Sequence, residues 1–191
     1  EEAIFPYSPE ELEKMLADLE KSLGDSFSKI VYGVVQSGTS ILGMKNTGNF
    51  SKEKSSEMSR ICHSYGLYSK EHNSDYLTSS EIRMRLSAGV DSLNIAPELG
   101  VLETKSIMEI LTEREVLRER FIQLCYDSDK WRKWVSEEPK KEVIAEICGH
   151  YVFGSKEFDQ IKQKLNEDFE VDNLVCSKIR KKLNEIYQIA G

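Results

Sequence analysis

The sequence predicts an α/β fold with a parallel sheet, followed by an all-helical region, and three observations support this. Short apolar runs alternate with stretches of helical periodicity as far as about Asp127. The clearest run, residues 30–35, is β-branched without strict alternation, which is typical of a parallel strand buried on both faces. Beyond Asp127 only helical patterns occur. Alternation of this kind indicates right-handed crossovers between parallel strands.

Start and stop signals delimit the elements. Ser8, Pro9 and Glu11 provide the first helix with an N-cap, a first-turn proline and a capping-box glutamate, and Gly24 ends it. Thr78 caps a later helix that Gly89 stops. The stretch 43–49 is polar and predicts a long loop. The predicted elements of this part are strands at 30–35, 66–72 and 90–96 and helices at 9–23, 51–63, 78–88 and 101–126.

The pattern predicts two domains, residues 1–126 and residues 127–191. The second would be a helical cap, with helices near residues 130–135, 140–148, 155–165 and 172–190. Three parallel strands are few for an open sheet, and a closed barrel needs eight strands and roughly 250 residues. We therefore expect the C-terminal part of a (β/α)8 TIM-type barrel, its last three strands, followed by an all-helical C-terminal region. The other strands would lie upstream of residue 1 or on a second chain, and an unusually small sheet is the remaining alternative.

Composition narrows the functional classes. A formal net charge of -7 and a pI near 5.2 argue against a protein that neutralises nucleic-acid phosphates. No apolar run of about 18 residues predicts a membrane span, and residues 1–6 lack the features of a signal peptide. Four widely spaced cysteines favour reduced thiols over a disulfide framework or a zinc ribbon. A cytoplasmic protein is expected.

Polar residues cluster after each predicted strand. Ligands of parallel α/β folds bind beyond the carboxyl ends of the strands, so these residues are expected to line one ligand site. The residues predicted to bind ligand are Gln36, Ser37, Gly38, Thr39, Lys45 and Asn94, and those predicted to be catalytic are Glu71, His72, Asp75 and Glu98.

His72 is the sharpest candidate among them. A histidine flanked by Glu71 and Asp75 could bind a divalent metal such as zinc, or move a proton. Glu71, Asp75 and Glu98 could do acid/base work if burial shifts their pKa values. The alternatives are a histidine satisfied by its polar neighbours and carboxylates that are solvated or paired with cations.

The segments 37–40 and 45–49 offer backbone amides, hydroxyls and the cation of Lys45, a combination that suits a phosphate group. Neither segment matches a P-loop or a dinucleotide-binding motif. An ordinary polar loop is the alternative.

Three stretches taken together resemble the non-catalytic (accessory) subunits of tagatose-bisphosphate aldolase: VVQSG at 34–38, SKEHNSDY at 69–76 and LNIAPEL at 93–99. That family carries similar V-V-Q-x-G, E-A-H-S-x-D-Y and L-K-V-G-P-A-L stretches in this order. WRKW at 131–134 and HYVF at 150–153 resemble its aromatic C-terminal region. Lys70, Asn73, Glu98 and the 43–49 loop depart from the family pattern, and Gln36 stands where a catalytic relative would have a metal-binding histidine.

The resemblance implies a class II aldolase-like barrel that takes part in sugar-phosphate metabolism and stabilises or activates a catalytic aldolase subunit. Its partners would be a sugar phosphate and either that subunit or an N-terminal half of its own barrel. Two alternatives remain open. One is a metal-dependent ketose-phosphate aldolase or epimerase that uses His72, and the other is a non-enzymatic interaction module.

Overall fold

The structure is a computed structural model that describes residues 7–135 and 137–190, and these residues form two compact units. The sheet unit extends to Ser40 and includes Asn46–Ile95. The helical unit consists of Ile41–Lys45 and Ala96–Ile189. The helices are α1 Pro9–Leu23, α2 Lys52–Ser64, α3 Ser79–Ser87, α4 Pro97–Ile110, α5 Glu115–Asp127, α6 Lys141–Cys148, α7 Lys156–Leu165 and α8 Val171–Ala190. The strands are β1 Tyr32–Val35, β2 Thr39–Leu42, β3 Lys45–Gly48, β4 Tyr68–Glu71 and β5 Ser92–Leu93.

Helix α1 begins where its capping signals predict. The Glu11 backbone N–H donates to Ser8 Oγ at 3.2 Å, and the Ser8 N–H donates to Glu11 Oε2 at 2.7 Å. This capping box satisfies two helix-start donors that would otherwise lack partners. The helix buries Leu12 and Leu16 against the sheet unit's core and ends before Gly24, whose φ of 52° favours glycine. The predicted first helix is confirmed.

Three strands of the sheet unit form one parallel sheet in the order β1-β4-β5. Tyr32 is opposite Tyr68 at one end of the β1–β4 pair and Val35 is opposite Glu71 at the other, while Leu93 of β5 is also opposite Glu71. Helices α2 and α3 supply the two crossovers. The core of this unit is Leu12, Leu16, Phe27, Val35, Met58, Ile61, Cys62 and Leu67. The predicted parallel arrangement is therefore present.

The predicted barrel is wrong. In the described part of the chain the parallel sheet has three short strands and does not close, and helices make up most of the chain. The predicted last three strands of a (β/α)8 barrel are replaced by five short strands in two separate small sheets, β1-β4-β5 and β2-β3, among the described residues. The expectation came from counting strands against a known architecture, and the structure is instead a mixed α/β arrangement.

Three element predictions also need correction. The polar stretch 43–49 is part of a hairpin, β2 and β3, which turns at Gly43 with a φ of 58°. The predicted third strand shrinks to Ser92–Leu93. The predicted long helix is interrupted at Leu111–Glu113, a short 3-10 turn with no glycine or proline to signal the break. None of these three differences is signalled by the local sequence pattern.

The helical unit has an apolar core of its own. Phe121, Trp131 and Phe158 lie inside it, and the rings of Phe153 and Phe158 are 4.5 Å apart. The thiols of Cys125 and Cys148 are free and buried there. The boundary predicted at residues 126–127 stays a prediction. Among the described residues, no helix combines the length and apolarity that crossing a membrane requires.

Candidate functional site

The carboxyl ends of β1, β4 and β5 meet at one edge of the sheet because the strands are parallel neighbours. Backbone hydrogen bonds tie the segments that follow them. The Asn94 N–H donates to Glu71 O at 3.0 Å, and the Ser74 N–H donates to Asn94 O at 3.1 Å. The His72 N–H donates to Val35 O at 3.4 Å. This edge holds the polar residues that the sequence singled out in the sheet unit.

Glu71, the last residue of β4, is the centre of the edge and is fully buried. One carboxylate oxygen accepts a short hydrogen bond from Ser37 Oγ. The other accepts from Arg85 Nε at 3.0 Å and from Ser74 Oγ at 3.1 Å. Burial raises the pKa of Glu71, while the Ser37 hydrogen bond and the Arg85 charge oppose that rise only in part. Glu71 was predicted to be catalytic, and here it joins both serines to a buried cation.

Arg85 was not predicted, although it is among the most deeply buried side chains of the sheet unit. Its guanidinium lies 4.2 Å from the Phe50 ring centroid, and its Nη1 donates to Glu81 O at 3.2 Å. A buried arginine requires a partner charge, which Glu71 supplies. One signal was available: Arg85 lies three residues after Ile82, on the apolar face of α3.

The hairpin contributes hydroxyl and amide groups to the same edge. Ser37 Oγ and Thr39 Oγ1 are 3.1 Å apart. Asn46 Nδ2 donates to the carbonyl oxygens of Asn73 at 2.8 Å and Asp75 at 2.9 Å. Asn73 Nδ2 in turn donates to Thr39 O at 3.3 Å. These bonds join both strands of the hairpin to the loop after β4.

Gly38 is required where the chain leaves β1. Its φ of 91° lies in the left-handed region, and a Cβ at this position would meet Asn49 O at 2.5 Å. Gly38 therefore has a structural role, because it lets the two ends of the hairpin approach, and its predicted ligand-binding role stays a prediction.

We call Ser37, Thr39, Glu71, Ser74 and Arg85 the Glu71 cluster. Of the other predicted residues in the sheet unit, Asp75 is buried and His72 is half-buried in the loop after β4. Gln36 Oε1 accepts from the Tyr7 N–H at 3.0 Å. Among the residues that the structure describes, no group of three or more histidine, cysteine or carboxylate side chains is arranged to hold a metal ion.

Glu98 and Lys45 belong to the helical unit. Glu98 forms an ion pair with Lys182 of α8 at 2.5 Å, and Lys45 is exposed at the start of β3. Neither residue is part of the Glu71 cluster. The carboxylate set predicted from Glu71, Asp75 and Glu98 is therefore divided between the two compact units.

A second polar group lies at the amino ends of the strands. Asp91 Oδ2 accepts from the Ser69 N–H, from Ser69 Oγ and from His63 Nε2, each at 2.7 Å. Although partial burial raises the pKa of Asp91, these bonds outweigh it and hold the pKa below its usual range. His63 lies on α2, so its contact with Asp91 links that helix to the start of β5.

Solved structures include a protein of similar fold. The fold is similar to the crystal structure of a probable tagatose 6 phosphate kinase from Sinorhizobium meliloti 1021, with a TM-score of 0.70 and 13% sequence identity. The match covers 96% of this chain and 54% of the other, so this chain spans about half the length of that protein. No family model matches the chain, and no curated protein matches it in sequence. At this identity the likeness establishes the fold alone.

Proposed function

We propose that this chain binds a sugar phosphate at the Glu71 cluster and serves as an accessory component that stabilises or activates a tagatose-bisphosphate aldolase. The observation that carries the proposal is the Glu71 cluster itself. Hydroxyls from two separate strand ends converge there on one buried carboxylate. Four members of the cluster are buried, and the half-buried Thr39 presents the end of this hydrogen-bonded chain to a polyol, at the place where parallel α/β folds bind their ligands.

Two further observations support the sugar-phosphate assignment. The structurally similar protein is named for a tagatose 6-phosphate substrate. Independently, the stretches at 34–38, 69–76 and 93–99 resemble the accessory aldolase subunits, and the structure brings the first two to adjacent strand ends. Because the chain spans about half of the similar protein, the activity of that whole protein is not carried over.

Binding can be measured by titration calorimetry with D-tagatose 6-phosphate, with D-tagatose 1,6-bisphosphate as a second ligand. Ser37→Ala should weaken binding about fivefold to tenfold, since it removes one hydrogen bond that orders the site. Ser106→Ala is the matched control. Its hydroxyl is equally buried but donates to Leu102 O within α4 of the helical unit, so affinity should not change.

The accessory role has its own measurement. The half-life of a catalytic tagatose-bisphosphate aldolase should lengthen when this chain is added, and Ser106→Ala should act as the wild type does. If the half-life of the aldolase is the same with and without this chain, the proposed accessory role is wrong. If the Ser37→Ala and wild-type proteins bind the sugar phosphate with equal affinity, the Glu71 cluster is not the binding site.

A further inference from the structure

We infer that Thr39 Oγ1 is an acceptor-only contact, which selects a hydroxyl donor on the sugar and not a phosphate oxygen. The inference rests on the proposed function for the identity of the ligand and deepens it, because it assigns the part of the ligand that this position recognises. It follows from counting protons along the chain of hydroxyls that ends on Glu71.

The count begins at the buried carboxylate. Arg85 Nε and Ser74 Oγ both donate to Glu71 Oε2, and Ser37 Oγ donates to Glu71 Oε1. When Glu71 is ionised, as its contact with the Arg85 guanidinium favours, both of its oxygens only accept hydrogen bonds. Each serine hydroxyl has a single proton, so the Ser37 proton is committed to Glu71.

The next link then has one possible direction. Ser37 Oγ and Thr39 Oγ1 lie within hydrogen-bond distance at 3.1 Å, and either oxygen could donate on distance alone. Because Ser37 has no second proton, Thr39 must donate and Ser37 must accept. The proton order is therefore Thr39 to Ser37 to Glu71, set by the charge at its buried end.

This order leaves Thr39 with lone pairs and no proton to offer. Ser37 is buried but Thr39 is half-buried, so the end of the hydroxyl chain is open to a ligand. A phosphate oxygen accepts hydrogen bonds and would face an acceptor there, which is unfavourable, whereas a sugar hydroxyl can donate. The polyol part of the ligand therefore lies at Thr39, and its phosphate lies elsewhere.

The proton order can be tested without any ligand. Neutron diffraction from deuterated crystals of the full chain should show the Thr39 deuterium on the line to Ser37 Oγ and the Ser37 deuterium on the line to Glu71. A Ser37 deuterium that points at Thr39, or a Thr39 deuterium that points away from Ser37, overturns the inference.

The selection of a donor needs analogues of D-tagatose 6-phosphate in which one hydroxyl is replaced by hydrogen or by fluorine. Fluorine can weakly accept a hydrogen bond but cannot donate one. At one sugar position we expect both replacements to weaken calorimetric binding equally, about tenfold, because each removes the donor. Equal binding of all analogues, or a fluoro analogue that keeps the affinity its deoxy partner loses, overturns the inference.

Variants assign that loss to Thr39. Thr39→Val should bind D-tagatose 6-phosphate as weakly as the wild type binds the two affected analogues. Its affinity for those analogues should be no lower than its affinity for D-tagatose 6-phosphate. Thr39→Ser should again bind D-tagatose 6-phosphate more tightly than the analogues. Thr47→Val is the matched control, because the Thr47 hydroxyl donates to Ser40 O inside the hairpin. If the loss of affinity from Thr39→Val adds to the loss from replacing the sugar hydroxyl, Thr39 does not contact that hydroxyl. If D-tagatose 6-phosphate does not bind at all while the neutron map shows the stated order, the proposed function fails and the proton order stands.

Discussion

The two compact units satisfy their buried hydroxyls in different ways. In the helical unit, Thr104 Oγ1 donates to Gly100 O and Ser106 Oγ donates to Leu102 O, both at 2.8 Å and both within one turn of α4. In the sheet unit, Ser37 reaches Glu71 and Ser69 reaches Asp91, partners that are 34 and 22 positions away in the sequence. The same residue types are buried in both units, but Ser37 and Ser69 of the sheet unit contact carboxylates, whereas Thr104 and Ser106 contact backbone carbonyls.

This difference distinguishes buried polar groups that only pack from buried polar groups that could serve a function. A hydroxyl that bonds to its own helix is satisfied wherever the helix lies, so it adds little beyond burial. A buried carboxylate that is paired with a cation from another element carries a desolvation cost, which apolar residues of similar volume would avoid. Proteins depart from an apolar core chiefly at functional sites. The buried pair of Glu71 and Arg85 is such a departure, so the carboxyl edge of the sheet is the candidate site.

The largest effect is expected from Arg85→Met. The change leaves the Glu71 carboxylate buried without its cation and should lower the free energy of unfolding by about 3–5 kcal/mol. Because burial then acts on Glu71 without opposition from Arg85, its folded-state pKa rises further and the deficit should grow as the pH is raised. Urea unfolding at several pH values measures both.

Two further variants serve as controls for this prediction. Arg114→Met removes one member of an exposed ion pair with Asp168 in the helical unit and should cost at most about 1 kcal/mol. The double variant Glu71→Gln with Arg85→Met should recover part of the loss, because no charge is left buried. A single Arg85→Met variant as stable as Arg114→Met would show that the two units do not differ as described.

The next effect tests the helical unit by packing alone. A Cβ on Gly149 would overlap Thr104 Cγ2 and lie 2.9 Å from Phe121 Cζ, so Gly149→Ala should cost about 1–3 kcal/mol through overpacking. Gly154→Ala is the control, since nothing lies within 4 Å of the added atom. Thermal unfolding measures both changes, and sugar-phosphate affinity should be unchanged. Equal stability of the two variants would contradict the described core.

Local sequence signals were sufficient for much of the sheet unit. Ser8 and Thr78 start helices through capping boxes, and Gly24 and Gly89 follow their ends with positive φ, because these signals act over a few residues. The hairpin was missed because its polar residues and its apolar pair Ile41 and Leu42 do not alternate in the way that marks a strand. The barrel was wrong because closure depends on pairing between distant strands, which no local pattern reports.

The candidate site was predicted only in part. Ser37 and Glu71 were found because they follow or end a strand, and position along a parallel strand is readable from the sequence. Arg85 was missed because a charged residue on a short helix is usually solvent-exposed, and its burial depends on contacts with Phe50 and Glu71. Glu98 was grouped with the site by strand order, although in the structure its partner is Lys182.

A smaller effect is expected at the amino ends of the strands. Asp91→Asn weakens the contacts to Ser69 and His63 and should cost about 1 kcal/mol near neutral pH. The folded-state pKa of Asp91 is lowered, so its carboxylate contributes fully above the ordinary value of 3.8 and loses that contribution as the pH falls through the folded-state pKa. Denaturation curves should therefore converge for the two proteins in acid. A difference that persists or widens there would show that the charge is not involved.

The smallest effect is expected from His72→Ala, which tests the metal-dependent alternative. A zinc site in a protein usually has at least three side-chain ligands, and the described residues place no such group around His72. Removing the half-buried imidazole should therefore leave the bound metal unchanged when the purified chain, equilibrated with zinc and dialysed, is analysed by plasma mass spectrometry. His63→Ala is the matched control, since that histidine contacts Asp91 at the amino ends of the strands. Stoichiometric zinc that is lost from His72→Ala but kept by His63→Ala would reverse the assignment. The loop after β4 would then be a metal centre, and the Glu71 cluster beside it would orient a ligand of that metal, as buried carboxylates do in many zinc proteins.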